Sequence, residues 1–456
     1  MRTTQRSHLF RPVCVAEWDL VEPVPAFPLD PAENGGASVP VLLLIRLGTE
    51  PLGHVSFEAK DNQSFSSTAV SVVMQSFHSV INVRLAASDL PLIEEITANG
   101  LAVEPNQLGF VIERNRMLED APDVSVVLCT RDRPKRVADC IRRLASQEYS
   151  RYEIVVVDNA PADPDAVPAV LESIDTPIPL RYVLEPRGGL SWARNAGWKA
   201  ATADIIAFLD DDEIPDKHWL AELVRGFSAR SDVGCVTGMV LPAELKTEPQ
   251  QWFEGLGGFR QGRGFAREVF GPEHPQSPLY PFPPFGAGAN MAFRRDVLTD
   301  IDGFDVALGA GTPAKASEET LAFARARLAE HTIVYQPTAL VSHFHRETLA
   351  ELKTQLHNYS IGTTAHYTAL IIWKPRLLLT FLLLIPRAIK ENLPWNDPQR
   401  AATMRSSPAI LVATQVVGML KGPFAYIKSS RRQRGQTTGA SAVTTQASAS
   451  QSRPTE

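Results

Sequence analysis

The stretch IIAFLDDD, residues 205–212, decides the fold class of this chain. Its first five residues form an uninterrupted apolar run, which predicts a buried strand. Asp210, Asp211 and Asp212 follow without a spacer. Three adjacent carboxylates repel one another unless a cation neutralises them, and hard oxygen ligands of this kind suit Mg²⁺ or Mn²⁺. The alternative interpretation, a solvated turn that caps a helix, stays open at this point.

The stretches before this run alternate between strand and helix patterns. VSVVLCT (124–130) and IVVV (154–157) are short apolar runs that predict strands, and a helix pattern begins after RDRP (131–134). Such alternation is typical of a parallel sheet, whose ligands bind beyond the carboxyl ends of the strands. Three polar residues stand at such ends: Thr130, Asp158 and Asp210.

A glycine-containing segment completes a pattern that resembles the family 2 glycosyltransferases of the GT-A fold. The segment is RGGLSWARNAG (187–197), and the resemblance spans roughly residues 124–346. It implies an α/β fold in which a mixed sheet of the nucleotide-diphospho-sugar transferase type is flanked by helices. It also implies a nucleotide-sugar site formed by the following residues: Thr130, Arg131, Asp158, Gly188, Gly189, Arg194, Asn195, Asp210 and Asp211.

The resemblance gives each part of that site its own role. Asp158 is expected to hydrogen-bond the nucleobase, and the glycine segment is expected to contact the ribose and phosphates. Asp212 and Asp210 are the expected ligands of Mn²⁺ or Mg²⁺, with Asp212 the principal one and Asp210 also near the ribose. His343, in the closing segment VSHFHR (341–346), is expected to approach the metal or the diphosphate.

Two further acids are the candidate catalytic residues. Members of the family usually carry Glu-Asp at the start of the helix that supplies the general base, and this chain has SEETL at residues 317–321. Glu319 therefore occupies the base position and Glu318 precedes it. Glutamate is a competent base, although its extra methylene moves the carboxylate by about an ångström. Two alternatives stay open: the acids only complement the helix dipole, or the chain is a catalytically degenerate scaffold in polysaccharide assembly.

Composition limits the class and the compartment. The chain has 456 residues, of which 44% are hydrophobic, so it can build more than one domain. A net charge of -6 argues against general nucleic-acid binding. The four cysteines show no metal or disulfide spacing, and the amino terminus has no apolar signal segment. We therefore expect a cytoplasmic protein.

The composition changes along the chain predict four parts. These are an N-terminal α+β accessory domain (1–120), the catalytic domain (121–350), a C-terminal helical region (351–430) and a tail (431–456) rich in Ser, Thr, Ala and Gln, which we expect to be disordered. In the first part a hairpin is predicted to turn at residues 51–53. That part shows no chemical motif, so it either positions the acceptor or packs on the catalytic domain.

Two apolar stretches stand out in the C-terminal region, residues 377–385 and 410–420. Both look too short to cross a bilayer, and basic residues flank them. Such helices suit peripheral contact with the anionic inner face of the cell membrane. The competing interpretation is that they cover the catalytic domain or form a homodimer interface.

The resemblance implies an inverting transfer of a sugar from a nucleotide-diphosphate donor to an acceptor hydroxyl. We expect a UDP- or dTDP-linked donor and a glycan or lipid-linked acceptor. The expected setting is the synthesis of cell-surface polysaccharide or glycoconjugates.

Overall fold

The computed structural model has three connected parts: an N-terminal α+β region, a central mixed sheet flanked by helices, and a set of C-terminal helices. The residues that it describes are 10–27, 37–260, 262–275, 277–279, 285–391 and 398–450. Residues 451–456, the end of the tail expected to be disordered, lie outside the described residues.

The N-terminal region is a three-stranded sheet covered by a long helix. Strand β1 (Cys14–Asp19) runs parallel to β2 (Val39–Leu47), which pairs antiparallel with β3 (Glu50–Ala59). Helix α1 (Asn62–Ala86) buries one face against this sheet, and α2 (Gly109–Glu119) leads into the central region.

The hairpin of β2 and β3 is present as predicted, but the predicted position of its turn is wrong. Gly48 and Thr49 form the turn, with φ of 55° and 77°, and residues 51–53 lie inside β3. Positive φ at both positions is the geometry of a type I′ hairpin turn. The carboxylate of Asp19 accepts hydrogen bonds from the backbone N–H groups of Gly48 (2.8 Å) and Thr49 (2.6 Å). A tertiary contact thus holds a turn that threonine disfavours.

Ion pairs of two buried arginines attach the N-terminal region to the flank of the central region. Arg46, which is 4% exposed, lies 2.9 Å from the carboxylate of Asp216. Arg225 pairs with Glu113 at 3.3 Å. The sequence left two roles open for the N-terminal region, positioning the acceptor or packing on the catalytic domain, and these contacts favour packing.

The central region contains the predicted strands at residues 124–130, 154–157 and 205–209 together with further strands and helices. Its strands are β4 (Val124–Thr130), β5 (Tyr152–Asn159), β6 (Leu180–Glu185), β7 (Ile205–Asp210), β8 (Glu213–Pro215), β9 (Val233–Pro242), β10 (Glu268–Phe270), β11 (Asn290–Arg294) and β12 (Thr332–His343). Its helices are α3 (Pro134–Leu144), α4 (Ala166–Glu172), α5 (Leu190–Ala200), α6 (Trp219–Phe227), α7 (Glu248–Gly255), α8 (Arg295–Asp300) and α9 (Glu318–Leu328).

These strands form one sheet in the order β10-β12-β9-β11-β7-β4-β5-β6, with β8 paired to β12. Strands β7, β4, β5 and β6 are parallel, and every residue of β4 and β5 is buried, as their apolar runs predict. Strand β11 runs antiparallel between β7 and β9, which makes the sheet mixed. In register, Thr130 pairs with Asp158 and Cys129 with Asp210, so the predicted polar residues meet at one edge.

Four helices follow the sheet: α10 (Leu349–Trp373), α11 (Leu377–Glu391), α12 (Pro398–Ser406) and α13 (Ala409–Ser450). Helices α10 and α13 lie close together because α13 presents glycines to α10. A Cβ atom at Gly418 would lie 2.7 Å from the carbonyl oxygen of His357. The Thr364 hydroxyl also donates to the carbonyl of Met419 at 2.7 Å.

The structure corrects two expectations about α13. Residues 431–450 continue the helix where a disordered tail was expected. Residues Ala409–Arg434 are also long and apolar enough to cross a membrane, whereas the apolar stretch looked too short. Length and composition alone do not distinguish a span from a packed helix, and 28% of the apolar window is buried.

Candidate functional site

A cleft of about 1210 Å³ opens at the carboxyl ends of β4 and β7. The C-terminal helices form its opposite wall, with Tyr359 and His366 from α10 and Met419 from α13. Most of the predicted site residues lie on the walls: Thr130, Arg131, Arg194, Asp210, Asp211, Asp212, Glu318, Glu319 and His343. Four predicted donor-site residues do not line this cleft: Asp158, Gly188, Gly189 and Asn195.

One wall carries a cluster of three side chains with the spacing of metal ligands. Atoms of Asp212, Glu213 and His343 lie within 4.8 Å of one another. Glu213 is fully buried, and neither of its carboxylate oxygens has a hydrogen-bond partner among the described residues. Burial raises the pKa of the Glu213 carboxyl well above its usual range, and the charges of Asp210 and Asp212 add to the effect. Two carboxylates suit either Mn²⁺ or Mg²⁺, and the imidazole nitrogen favours Mn²⁺ over the oxygen-seeking Mg²⁺, so the residues present fit a Mn²⁺ ion.

The predicted ligand set is therefore only partly brought together. Asp212 and His343 belong to the cluster, but Asp210 does not, because its carboxylate faces Arg194 at 3.3 Å. Glu213 was missed, although it directly follows the acidic triplet. Its proximity to His343 arises from the pairing of β8 with β12, where the two residues are direct partners. A linear pattern contains no signal of that pairing.

A chain of hydrogen bonds sets the orientation of the His343 ring. Nε2 of His345 lies 2.8 Å from the Glu254 carboxylate, and Nδ1 of His345 lies 3.0 Å from Nδ1 of His343. A carboxylate only accepts, so Nε2 of His345 carries the proton and, in the neutral ring, its Nδ1 accepts from His343. Burial lowers the pKa of His343, which keeps this ring neutral. The assignment leaves the Nε2 lone pair of His343 available to a metal.

Arg194 connects three walls of the cleft. It is 2% exposed and lies 2.7 Å from the Glu318 carboxylate, 3.3 Å from Asp210 and 3.1 Å from the carbonyl oxygen of Gly288. Burial raises the pKa of the Glu318 carboxyl, with the neighbouring Glu319 adding to it and Arg194 opposing it. Arg194 and Glu318 thus form a buried pair that holds α5 and α9 in place.

Glu319 has a different environment from its neighbour. It lies on the cleft wall, is partly exposed, and its carboxylate accepts a hydrogen bond from the Thr320 hydroxyl at 3.2 Å. Gly288 provides the space for it, since a Cβ atom at Gly288 would lie 2.9 Å from Cγ of Glu319. Both candidate catalytic acids line the cleft, and Glu319 is the more exposed of the two.

The base of the cleft is supported by Asp211, which is 6% exposed. Its carboxylate accepts from the Thr130 hydroxyl and from Arg133, each at 2.8 Å. Thr130 therefore contacts the acidic triplet, in addition to lining the cleft where the nucleotide was expected. Arg133 also lies 3.7 Å from Asp212, and Arg136 lies 3.6 Å from it. Sequence reasoning missed these two arginines.

The expected nucleotide side is built around the end of β5. Asp158 is fully buried; one of its oxygens has no hydrogen-bond partner among the described residues, and the other accepts from Tyr182 at 3.4 Å. The Asn159 side chain accepts from the backbone N–H of Gly189 at 2.8 Å. Gly189 has a φ of 144°, a conformation that favours glycine. These bonds hold the glycine segment beside β5.

Asn195 differs from its expected role as a donor contact. Its amide N–H₂ donates to the carbonyl of Phe304 at 2.7 Å, and its oxygen accepts from the Phe304 backbone N–H at 2.9 Å and from Trp198 at 3.1 Å. The side chain therefore holds the turn at Gly303 and Phe304, below the cleft rather than on its wall.

The central region is a mixed sheet flanked by helices, with acidic residues at the ends of its central strands, which is an arrangement of the GT-A type. Residues 125–302 match the model of glycosyl transferase family 2.

Two relatives illustrate the similarity. The glucosyl-dolichyl phosphate glucuronosyltransferase of Haloferax volcanii is 27% identical over 195 residues, which are 41% of this chain and 57% of that protein. The succinoglycan biosynthesis protein ExoM of Rhizobium meliloti is 36% identical over 107 residues, which are 22% of this chain and 34% of that protein. The chain thus spans about half the length, or less, of these relatives.

Among solved structures, a mannosyltransferase of Pyrobaculum calidifontis in complex with GDP-Man and Mn²⁺ is similar to this chain. The likeness has a TM-score of 0.42 and 19% sequence identity, and it covers 80% of this chain and 97% of that one.

Proposed function

We propose that the chain is an inverting glycosyltransferase that moves a sugar from a nucleotide-diphosphate donor to an acceptor hydroxyl in polysaccharide or glycoconjugate synthesis. The observation that carries the proposal is Glu213, a buried carboxylate whose two oxygens lack partners beside Asp212 and His343. A buried charge without a partner is costly, so such an arrangement is expected where a cation binds. The match of residues 125–302 to the model of glycosyl transferase family 2 supports the same class of activity.

Asp212, Glu213 and His343 would hold the divalent ion. When bound, such an ion neutralises negative charge on the diphosphate leaving group. Arg133 and Arg136 lie at the outer side of this cluster, where they add positive charge for the same phosphates.

Glu319 would act as the general base. Its carboxylate accepts the proton of the acceptor hydroxyl while the oxygen attacks the anomeric carbon from the face opposite the leaving group. Glu318 and Arg194 would position this residue, because their buried pair fixes the first turn of α9. The cleft-facing side chain of Glu319 supports an enzyme over the degenerate scaffold, despite the departure from the usual aspartate.

Asp158 would recognise the nucleobase. Its unpartnered buried oxygen can accept a hydrogen bond from a ring N–H. Uracil and thymine carry such a donor, which supports UDP- or dTDP-linked sugars, and guanine carries one as well. Adenine and cytosine lack it, so ADP and CDP should bind more weakly.

The C-terminal helices would place the protein at a membrane surface. Large apolar side chains are exposed on α11 and α13, among them Leu379 (68%), Leu383 (71%) and Leu420 (71%). Basic residues flank these helices, which supports peripheral contact with the inner face of an anionic membrane by a cytoplasmic enzyme. Raising the salt concentration should then weaken binding to anionic liposomes.

Thermal unfolding with a panel of nucleoside diphosphates, each with and without Mn²⁺, tests the donor site, since a ligand of the folded state raises the melting temperature. We expect UDP or dTDP to stabilise the protein only with the metal, and Asp212→Asn to abolish that response while the fold remains intact. An unchanged response in Asp212→Asn would remove it from the metal site. Donor binding without sugar transfer or donor hydrolysis would instead favour the scaffold.

A further inference from the structure

A second cavity, of about 800 Å³, lies beside the cleft. It runs between the loop of residues 311–315 and one face of α13, and we call it the α13 groove. It is lined by these residues: Gly311, Thr312, Pro313, Lys315, Ile361, Val417, Leu420, Lys421, Phe424, Ala425, Lys428 and Arg432.

The α13 groove combines positive charge with apolar surface. Lys315, Lys421, Lys428 and Arg432 line it together with aliphatic and aromatic side chains, and no acidic residue among the described residues does so. The described contacts give none of these four cationic groups an ion pair or a side-chain hydrogen bond. Unpaired cations beside exposed apolar side chains suit an amphipathic anion, whose charge meets the cations while its chain covers the apolar surface.

The groove face of α13 is a consequence of helical spacing. Its members on α13 fall at positions 417, 420, 421, 424, 425, 428 and 432, which is one stripe at the period of an α-helix. Tyr426 donates to Asp305 at 3.1 Å and Trp192 donates to Gln433 at 2.8 Å, so α13 is fixed to the catalytic domain on its other side. The stripe is therefore held at a constant position relative to the cleft.

The α13 groove is continuous with the cleft. Gly311 and Lys315 line both cavities. Lys315 has a φ of 72° and Ser317 a φ of 69°, conformations that are unfavourable for residues other than glycine. Strain of this kind is retained where the surrounding structure fixes a side chain for a function. Lys315 thus stands at the junction of the two cavities, immediately before the acids of α9.

We propose that the α13 groove binds the phosphate and the first chain segments of a lipid-linked acceptor, so that the hydroxyl-bearing head of that acceptor enters the cleft. The inference rests on the proposed function and specifies its acceptor as a phosphate carried on a long isoprenoid or alkyl chain. Free phosphate would leave the apolar side chains of Leu420 and Phe424, which are 71% and 75% exposed, uncovered. A neutral lipid would leave the four cations without a counter-charge.

Direct binding of farnesyl phosphate, below its micelle concentration, to the full-length protein tests the groove. The test variant is the double substitution Lys421→Ala with Lys428→Ala. The control is Lys60→Ala with Arg431→Ala, which removes the same charge from exposed positions outside the groove. We expect the groove variant to bind about 30-fold more weakly, since each cation near a lipid phosphate contributes on the order of a fivefold effect. The control should change binding by less than about threefold.

Three results would overturn the proposal: equal binding by the groove variant and the control, binding of farnesol as tight as that of its phosphate, or binding of inorganic phosphate as tight as that of the lipid. The thermal response to nucleotide and Mn²⁺ is measured on the same samples and should be the same in all variants. The absence of a thermal response in the wild type would refute the proposed transferase function. If the response is present and only the selectivity for farnesyl phosphate is missing, the proposed role of the α13 groove alone is refuted.

Discussion

Replacing Glu213 with glutamine should have opposite effects on the metal-free and the metal-bound protein. The Glu213 carboxylate is buried and has no hydrogen-bond partner among the described residues. Because burial raises the pKa of this carboxyl, the folded state must hold a proton that the unfolded state releases near neutral pH, and replacing the acid with an amide relieves this cost of about 2 kcal/mol. For a domain of roughly 150–250 residues, that free energy corresponds to a rise of about 4–8 °C in melting temperature. Without metal, Glu213→Gln should therefore unfold at a higher temperature than the wild type.

With metal the order should reverse. A ligand at 100 times its dissociation constant adds about 2.7 kcal/mol to the stability of the folded state. The wild type should gain this stabilisation from Mn²⁺, whereas Glu213→Gln should gain little, because it has lost one of the two carboxylates in the cluster. Calorimetry or a fluorescence melt, with chelator and with Mn²⁺, measures both effects.

Glu222 provides a matched control for this prediction. It is as buried as Glu213, but its carboxylate pairs with Arg225 at 3.0 Å and accepts a hydrogen bond from Gln336 at 3.2 Å. Glu222→Gln should therefore destabilise the protein by about 3–5 kcal/mol with or without metal, since it removes the acidic partner of the buried Arg114, which lies 3.6 Å from Glu222. If Glu213→Gln lowers the melting temperature of the metal-free protein as Glu222→Gln does, then Glu213 has a structural partner and the reasoning is wrong.

Three further predictions concern the cleft. Glu319→Gln should keep nucleotide-sugar affinity and lower turnover by about a hundredfold or more, as expected when a general base is lost, whereas Glu318→Gln should also reduce thermal stability. Steady-state kinetics and thermal melts distinguish the two variants. Full turnover in Glu319→Gln would exclude Glu319 as the base. His345→Asn should weaken Mn²⁺ binding by about 10- to 100-fold with the fold retained, because it removes the group that orients His343; unchanged metal titrations would contradict that chain of hydrogen bonds. Burial lowers the pKa of His366 to about 4. The stability that this neutral ring contributes is therefore complete above about pH 6.5 and is lost as the pH falls towards 4, by about 2 kcal/mol at pH 5. Urea unfolding of the wild type and His366→Phe across this pH range should show the steeper loss of stability in acid for the wild type.

The sequence predicted those parts of the fold that depend on local signals. The apolar runs of β4, β5 and β7 are continuous, and each became a buried strand whose end carries the predicted polar residue. The hairpin turn was misplaced because a Pro-Leu-Gly stretch looked like a turn, while the real one depends on Asp19, about 30 residues away along the chain. A contact between residues so far apart in the chain cannot be predicted from local sequence patterns.

The candidate site, like the fold, could be predicted only where its residues belong to local motifs. Asp212 and His343 could be predicted as members of the cluster because each belongs to a short motif, whereas Glu213 required the pairing of β8 with β12, which joins residues 130 positions apart. The role of Arg194 as a buried link to Glu318 and Asp210 also depends on tertiary structure. The length of α13 was underestimated because Lys421 and Pro423 interrupt the apolar pattern, whereas packing against α10 continues the helix through both.

The cleft is built from two segments of the chain that can change independently in evolution. The match to the family model ends at residue 302, while the wall opposite the metal cluster comes from helices that begin at Leu349. Substitutions on α10 and α13 can reshape this wall without touching Asp212 or Asp158, on the sheet side. Under the proposed function, selection can thus exchange one acceptor for another while the donor site on the sheet is inherited unchanged, and an engineer can graft foreign helices onto the same sheet to redirect transfer.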